Sequence, residues 1–208
     1  MSQFLQFETV GDEKMKVEPI RDKKLIREIM SALEKDRSPV GERRYLLFAS
    51  GIYLGRRISD LLELKVGDVR GKKTMTITEG KTGKEKVLAF NSILQRIYKE
   101  RLAGRDPEEP LFVSRQKTRV SREVQAISRR TALRDIHAIG KMAGIDYRIG
   151  THTLRKTFGY WYYQNYQDIG MLMKLFNHSK EEITQVYIGL DVDEQCDAFR
   201  RTSHMYDD

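Results

Sequence analysis

A single cysteine, Cys196, occurs in the 208 residues. One thiol excludes an internal disulfide framework and any metal site built from several thiolates, and it fits a reducing compartment. No apolar run approaches the roughly 18 residues of a membrane-spanning helix, so no membrane partner is expected. The opening Met1-Ser2-Gln3-Phe4 lacks the basic and apolar regions of a secretory signal. Internal repeats and low-complexity segments are also missing. Together these absences predict a soluble cytoplasmic protein without a bound metal or cofactor. Acidic residues are in deficit, 30 against 38 lysines and arginines, giving a formal charge of +8. That excess favours a polyanionic partner such as nucleic acid, with ordinary solubility as the plain alternative. Hydrophobic residues make up 39% of the chain, enough for a core, while the 33% that are charged imply an ionic surface.

The residue pattern predicts a mainly α-helical domain with a small antiparallel β-sheet, an α+β arrangement. Residues 1–20 show no sustained period and end near Pro19, so they read as an arm or linker before a domain over 21–208. A helix starts at Asp22, with Leu25, Ile26, Ile29, Met30 and Leu33 on one face. Tyr45 to Leu54 is apolar nearly all round, as a buried central helix would be. A short helix over Ser59 to Leu64 follows. The period then changes: Thr74 to Thr78 and Glu85 to Phe90 read as strands, joined by Gly80-Lys81-Thr82-Gly83-Lys84, whose glycines suit a hairpin turn. Further helices are expected over 92–102, 121–143, 152–166, 168–176 and 180–190, with a loop from Gly104 to Pro110. At the end, Val192, Cys196 and Phe199 form a narrow apolar stripe on which Cys196 reads as a small buried hydrophobe.

Five places hold polar residues suited to one reaction. They are the arginine pair in Gly55-Arg56-Arg57-Ile58-Ser59-Asp60-Leu61, Lys81 in the hairpin, His152 and Arg155 in Thr151-His152-Thr153-Leu154-Arg155, His178 in Asn177-His178-Ser179, and Tyr187. Phosphodiester transfer without a metal needs fixed cations where charge builds on the non-bridging oxygens. Arginine supplies them with a planar fork that does not deprotonate. A tyrosine phenol, with a pKa of about 10, is mostly protonated at neutral pH, and adjacent arginines favour its phenolate. A lysine on a hairpin can protonate the departing oxygen.

This set, in this order, resembles the tyrosine recombinase (phage integrase) family, whose motifs run arginine, lysine, His-x-x-Arg, His or Trp, then tyrosine. The phrases Gly-Arg-Arg-Ile-Ser-Asp-Leu, Thr-His-Thr-Leu-Arg-Lys-Thr-Phe, Asn-His-Ser and Val-Tyr-Ile-Gly carry the likeness, which runs from about residue 20 to the end. The resemblance implies a catalytic domain that joins Tyr187 to a 3′-phosphate of double-stranded DNA, frees a 5′-hydroxyl and exchanges strands. The catalytic set it implies is Arg57, Lys81, His152, Arg155, His178 and Tyr187, with Asp60 orienting its neighbours. It further implies self-association as a tetramer on DNA, through a C-terminal docking helix over about 191–201. Alternative readings are a type IB topoisomerase-like relaxing enzyme and a silent DNA-binding module of the same fold. Each residue also has a plainer reading: Arg57 as a surface arginine, Lys81 as a solvated hairpin tip shared with Lys84 and Lys86, and Tyr187 as a core tyrosine packed on Ile183 and Leu190. Asn177 stands where the family commonly has glycine, and asparagine tolerates the left-handed turn needed there.

Overall fold

The computed structural model describes residues 17–78, 83, 85–114, 124–190, 196, 197, 199 and 200. In chain order the elements are α1 (Lys23–Lys35), α2 (Pro39–Leu54), α3 (Ile58–Leu62), α4 (Val66–Val69), β1 (Thr74–Thr78), β2 (Glu85–Ala89), α5 (Ser92–Arg101), α6 (Arg129–Met142), α7 (Thr153–Tyr166), α8 (Ile169–Phe176) and α9 (Glu181–Ile188). Short polar side chains set many of the helix starts. Asp22, Asn91 and Asp168 each accept a backbone N–H of the first turn, and Ser38 does so just before Pro39. The two strands form an antiparallel hairpin, with Thr74 opposite Ala89 and Thr78 opposite Glu85. Among the described residues, no helix is long and apolar enough to cross a membrane.

The central helix is α2, buried on every side and packed by α1, α5, α6 and α7. A buried ion pair, Arg43 Nε to Asp135 Oδ2 at 2.7 Å, ties it to α6. Helix α6 starts at Arg129, eight residues later than the periodicity suggested. The reason is competition for backbone hydrogen bonds: Ile127 donates to the Phe112 carbonyl and Ser114 to that of Gln125, which holds this stretch extended until Ser128 caps the helix. Residues 17–20 lie along α7. Ile20 is buried, its N–H donates to Thr157 Oγ1 at 2.9 Å, and its carbonyl accepts Trp161 Nε1–H at 3.0 Å.

A second, smaller apolar cluster lies where α7, α8 and α9 meet: Tyr160, Leu172, Phe176, Ile188 and Leu190. Gly159 sets this junction. A Cβ there would fall 2.7 Å from Ile188 Cγ2 and 2.7 Å from Phe176 Cε2, so only glycine lets α9 approach α7 this closely. Gly159→Val should therefore destabilise the protein by about 1–3 kcal/mol through overpacking. Thermal unfolding would show the loss as a lowered midpoint, and an unchanged midpoint would mean the seam has slack.

Two packing expectations are corrected. Cys196 is exposed, as is Phe199 at 76%, so neither of these two residues is buried against the domain's own core. Residues 191–195 of the expected docking helix lie outside the described residues. Ile183, read as a core partner of Tyr187, is 47% exposed. The inner face of α9 carries Thr184, Tyr187 and Ile188, at i, i+3 and i+4, and Ile183 falls just beyond it.

Candidate active site

The chain leaves α2 through Gly55, whose φ of 59° makes the left-handed turn that ends the helix. Phe158 of α7 occupies the space a Cβ would need there. The turn delivers two arginines to different places. Arg56 goes inward: it is buried, pairs with Asp60 at 3.5 Å, and donates to the Leu175 carbonyl at 3.4 Å. It thus braces α3 against α8, and Asp60 orients it, as expected of that carboxylate. Arg57 stays partly exposed at the start of α3.

The beginning of α7 supplies the next group. His152 occupies its N-cap position, and Thr153 Oγ1 accepts the Gly150 N–H at 2.9 Å to fix the entry. Arg155, 2% exposed, donates Nη1–H to the Gly55 carbonyl at 2.8 Å and Nη2–H to the Phe176 carbonyl at 3.1 Å. Its guanidinium lies 4.2 Å from the centre of the Phe176 ring. One arginine therefore joins the ends of α2 and α8, satisfying carbonyls that a helix C-terminus leaves open. At the end of α8, Asn177 adopts φ 56°, the left-handed turn anticipated for it. His178 follows, with Nδ1 hydrogen-bonded to Thr184 Oγ1 of α9 at 3.0 Å.

Tyr187 completes the arrangement. Its ring meets those of His178, Phe176 and His152 edge to face, at 5.3, 5.5 and 6.2 Å between centroids. Its hydroxyl is 3.1 Å from His152 Nδ1 and is also hydrogen-bonded to Arg155. Five of the six candidate residues are thus brought together at the Tyr187 side chain: His152 and Arg155 at its hydroxyl, His178 at its ring, and Arg57 near enough for its charge to act on it. The sixth, Lys81, lies outside the described residues. Two further cations belong to the neighbourhood and were missed by the sequence reading. Lys156 is buried, with its ammonium 5.4 Å from the Tyr187 ring centre. Arg129, exposed at the start of α6, acts on His152. Lys156 stands four residues after His152, on the same helical face as His152 and Arg155, so spacing offered a signal for it that the His-x-x-Arg motif does not contain.

The electrostatics differ from expectation in one respect. The arginines do favour the phenolate, through the charge and hydrogen bond of Arg155 and the charge of Arg57, but burial outweighs them and the Tyr187 phenol is held above its ordinary pKa. The resting group is therefore a neutral phenol. His152 moves the other way. Crowding of its imidazole, then the positive charges of Arg129, Arg155, Lys156 and Arg57, push its pKa below the ordinary histidine value. A neutral imidazole can accept a proton. In the tautomer with Nδ1 unprotonated, His152 accepts the phenol's hydrogen while Arg155 donates to the phenol oxygen.

A half-buried phenol, a neutral base at hydrogen-bond distance and a group of fixed cations make an arrangement chemically suited to nucleophilic transfer at an anionic centre such as phosphorus. The sequence comparisons agree on the family that carries it. The profile of the phage integrase family matches residues 21–194, and the chain belongs to that family. Among its relatives is the "Probable integrase/recombinase YoeC" of Bacillus subtilis (strain 168), 40% identical over 185 residues that cover 88% of this chain and 96% of that one. A tyrosine recombinase of Pseudothermotoga lettingae is 30% identical across 95% of this chain and 69% of its own length. The fold is shared with the XerH site-specific recombinase, whose structure is described as a post-cleavage complex with a palindromic difH substrate. The TM-score is 0.66 at 18% identity, covering 93% of this chain and 54% of that one.

Proposed function

We propose that this protein is a site-specific tyrosine recombinase that cuts and rejoins double-stranded DNA through a 3′-phosphotyrosine intermediate. The observation that carries this reading is the Tyr187 hydroxyl, hydrogen-bonded to His152 and Arg155 within a ring of cations. In the forward step, Tyr187 Oη forms a bond to phosphorus while the bond from phosphorus to the 5′-oxygen breaks. The tyrosine proton passes to His152, and the departing 5′-oxygen takes a proton from Lys81. Arg57, Arg155 and His178 hold the non-bridging oxygens as charge accumulates there. Rejoining is the reverse, with a 5′-hydroxyl attacking the phosphotyrosine. Because these cations supply the charge that a metal would otherwise provide, no metal or nucleotide takes part.

The DNA is held electrostatically, in keeping with a chain of formal charge +8. Self-association on DNA accompanies the reaction, and the exposed Cys196 and Phe199 near the chain end suit a helix that docks on a neighbouring copy. The reducing interior of the cell is the expected setting for a chain with one exposed thiol. The test uses a pool of labelled duplexes with a randomised core and a nick that lets the cleaved end diffuse away. Incubation with EDTA should leave a labelled species that survives denaturation and is destroyed by protease, in the same amount as without chelator. Adduct that disappears with EDTA and returns with magnesium would point instead to a metal-dependent nuclease.

A further inference from the structure

Lys156 occupies a position that the fold alone would not choose. Its side chain is 3% exposed, and lysine is rarely buried to that degree without compensation. It also stands in the first turn or so of α7, where the positive end of the helix dipole opposes a cation. Arg155 immediately before it adds a second positive charge. An apolar side chain of equal length would avoid both costs. Its surroundings suggest what offsets them. The ammonium lies over the face of the Tyr187 ring, 5.4 Å from its centre, and Lys156 also acts on the His152 imidazole. It therefore reaches both members of the Tyr187–His152 hydrogen bond.

We propose that Lys156 is a positioning residue for the tyrosine, its buried ammonium set over the Tyr187 ring so that the attraction between them grows as the phenol gives up its proton. A phenol ring attracts a cation through its quadrupole alone, whereas a phenolate ring also carries part of a full negative charge. The interaction is thus stronger in the reacting state than in the resting one, which is the condition for lowering a barrier rather than merely tightening the ground state. The groups around Tyr187 do not duplicate this role. His152 and Arg155 from α7 address the hydroxyl, His178 after α8 meets the ring edge, Arg57 acts from the turn after α2, and Arg129 of α6 acts on His152. Lys156 contributes a full positive charge placed over the ring itself.

The inference rests on Tyr187 being the nucleophile, and the test is arranged so that the two can fail separately. Lys156→Met keeps the length of the side chain and removes its charge, Lys156→Gln keeps polarity without charge, and Lys156→Arg keeps the charge. Single-turnover adduct formation on the nicked duplexes is followed across pH, alongside DNA affinity and thermal unfolding. Lys156→Met should fold at least as stably as the parent and bind DNA within about threefold. Its adduct formation should slow by about tenfold, with the rising limb of the rate–pH profile moved to higher pH. The direction follows from the charge: without the ammonium the phenol releases its proton less readily and His152 is less disfavoured as a cation. Lys156→Arg should recover most of the rate. If Lys156→Met does not fold, Lys156→Gln carries the comparison with the same expected slowing and displacement.

An unaltered rate in the neutral variant would overturn the inference. So would equal slowing in Lys156→Arg with an unmoved profile, which would mark a packing role. Loss of DNA affinity in step with rate would make Lys156 a backbone ligand and overturn it too. Adduct formation persisting in Tyr187→Phe would refute the underlying reading instead.

Discussion

A Tyr187→Phe protein should bind duplex DNA about as tightly as the parent and form no covalent adduct at any time. The expectation follows from how the residue is held. Its ring is fixed by edge contacts with Phe176, His178 and His152, none of which needs the hydroxyl. Removing one oxygen ends the hydrogen bonds to His152 and Arg155. Arg155 still has the Gly55 and Phe176 carbonyls to bind, so it is not left stranded. The cost in stability should be about 1 kcal/mol. Denaturing electrophoresis of trapped duplex measures the adduct, and peptide mapping of the wild-type adduct should place the nucleotide on the peptide containing Thr184-Gln185-Val186-Tyr187. Tyr166→Phe is the control, since Tyr166 is exposed at the far end of α7. An adduct retained in the phenylalanine variant, or mapped to another tyrosine, would falsify the assignment.

Arg155→Ala should lower the rate of adduct formation by roughly 10³-fold or more, with stability falling as well. Here the structure separates two arginines that looked equivalent in the sequence. Arg57 is partly exposed at the start of a helix, so its loss should chiefly affect the reaction. Arg155 is buried, joins the ends of α2 and α8, and supports the tyrosine hydroxyl, so its removal strands two carbonyls and costs about 2–4 kcal/mol in unfolding free energy. Arg155→Lys tells the fork apart from the charge. A single ammonium cannot span both carbonyls, so the lysine variant should still be slower by about 10²-fold. Single-turnover kinetics with chemical denaturation on the same samples give both quantities. If Arg155→Lys matched the parent in rate and stability, charge alone would suffice and the bridging geometry would be incidental.

How much was legible beforehand depended on whether the signal was local. Helix α7 was read over 152–166 and observed over Thr153–Tyr166, and strand β1 was read with its observed limits, because periodicity and β-branched runs act within a few residues. The start of α6 was misplaced because its competitor, the Phe112–Ser114 stretch, is distant in sequence and carries no local mark. The ordered motifs located the candidate residues, and Asn177 took the turn conformation its side chain permits. The buried apolar helix α2 was legible, but the burial of individual polar and terminal side chains was not. Burial holds the Tyr187 phenol neutral against its arginines, encloses Lys156 over the ring, and leaves Cys196 outside. Each of these depends on which neighbours fold against the residue, and spacing along one helix does not contain that information.

The glycines at 55 and 159 bear on how such a site tolerates change elsewhere. Side chains filling a core act as spacers, and exchanging a leucine for an isoleucine alters the gap between the elements they separate. At these two positions there is no spacer: α2 meets Phe158 of α7 at Gly55, and α7 meets Phe176 and Ile188 at Gly159. The distance from the arginine turn to Arg155, and from Arg155 to Tyr187, is consequently set by backbone lying against side chain, with little left to adjust. Substitutions can accumulate in the large cluster around α2 while the reacting groups keep their separations. The geometry of the candidate site should thus be insulated from drift in the packing that supports it, an insulation resting on residues with no side chain to lose, Gly51 against Leu154 of α7 included.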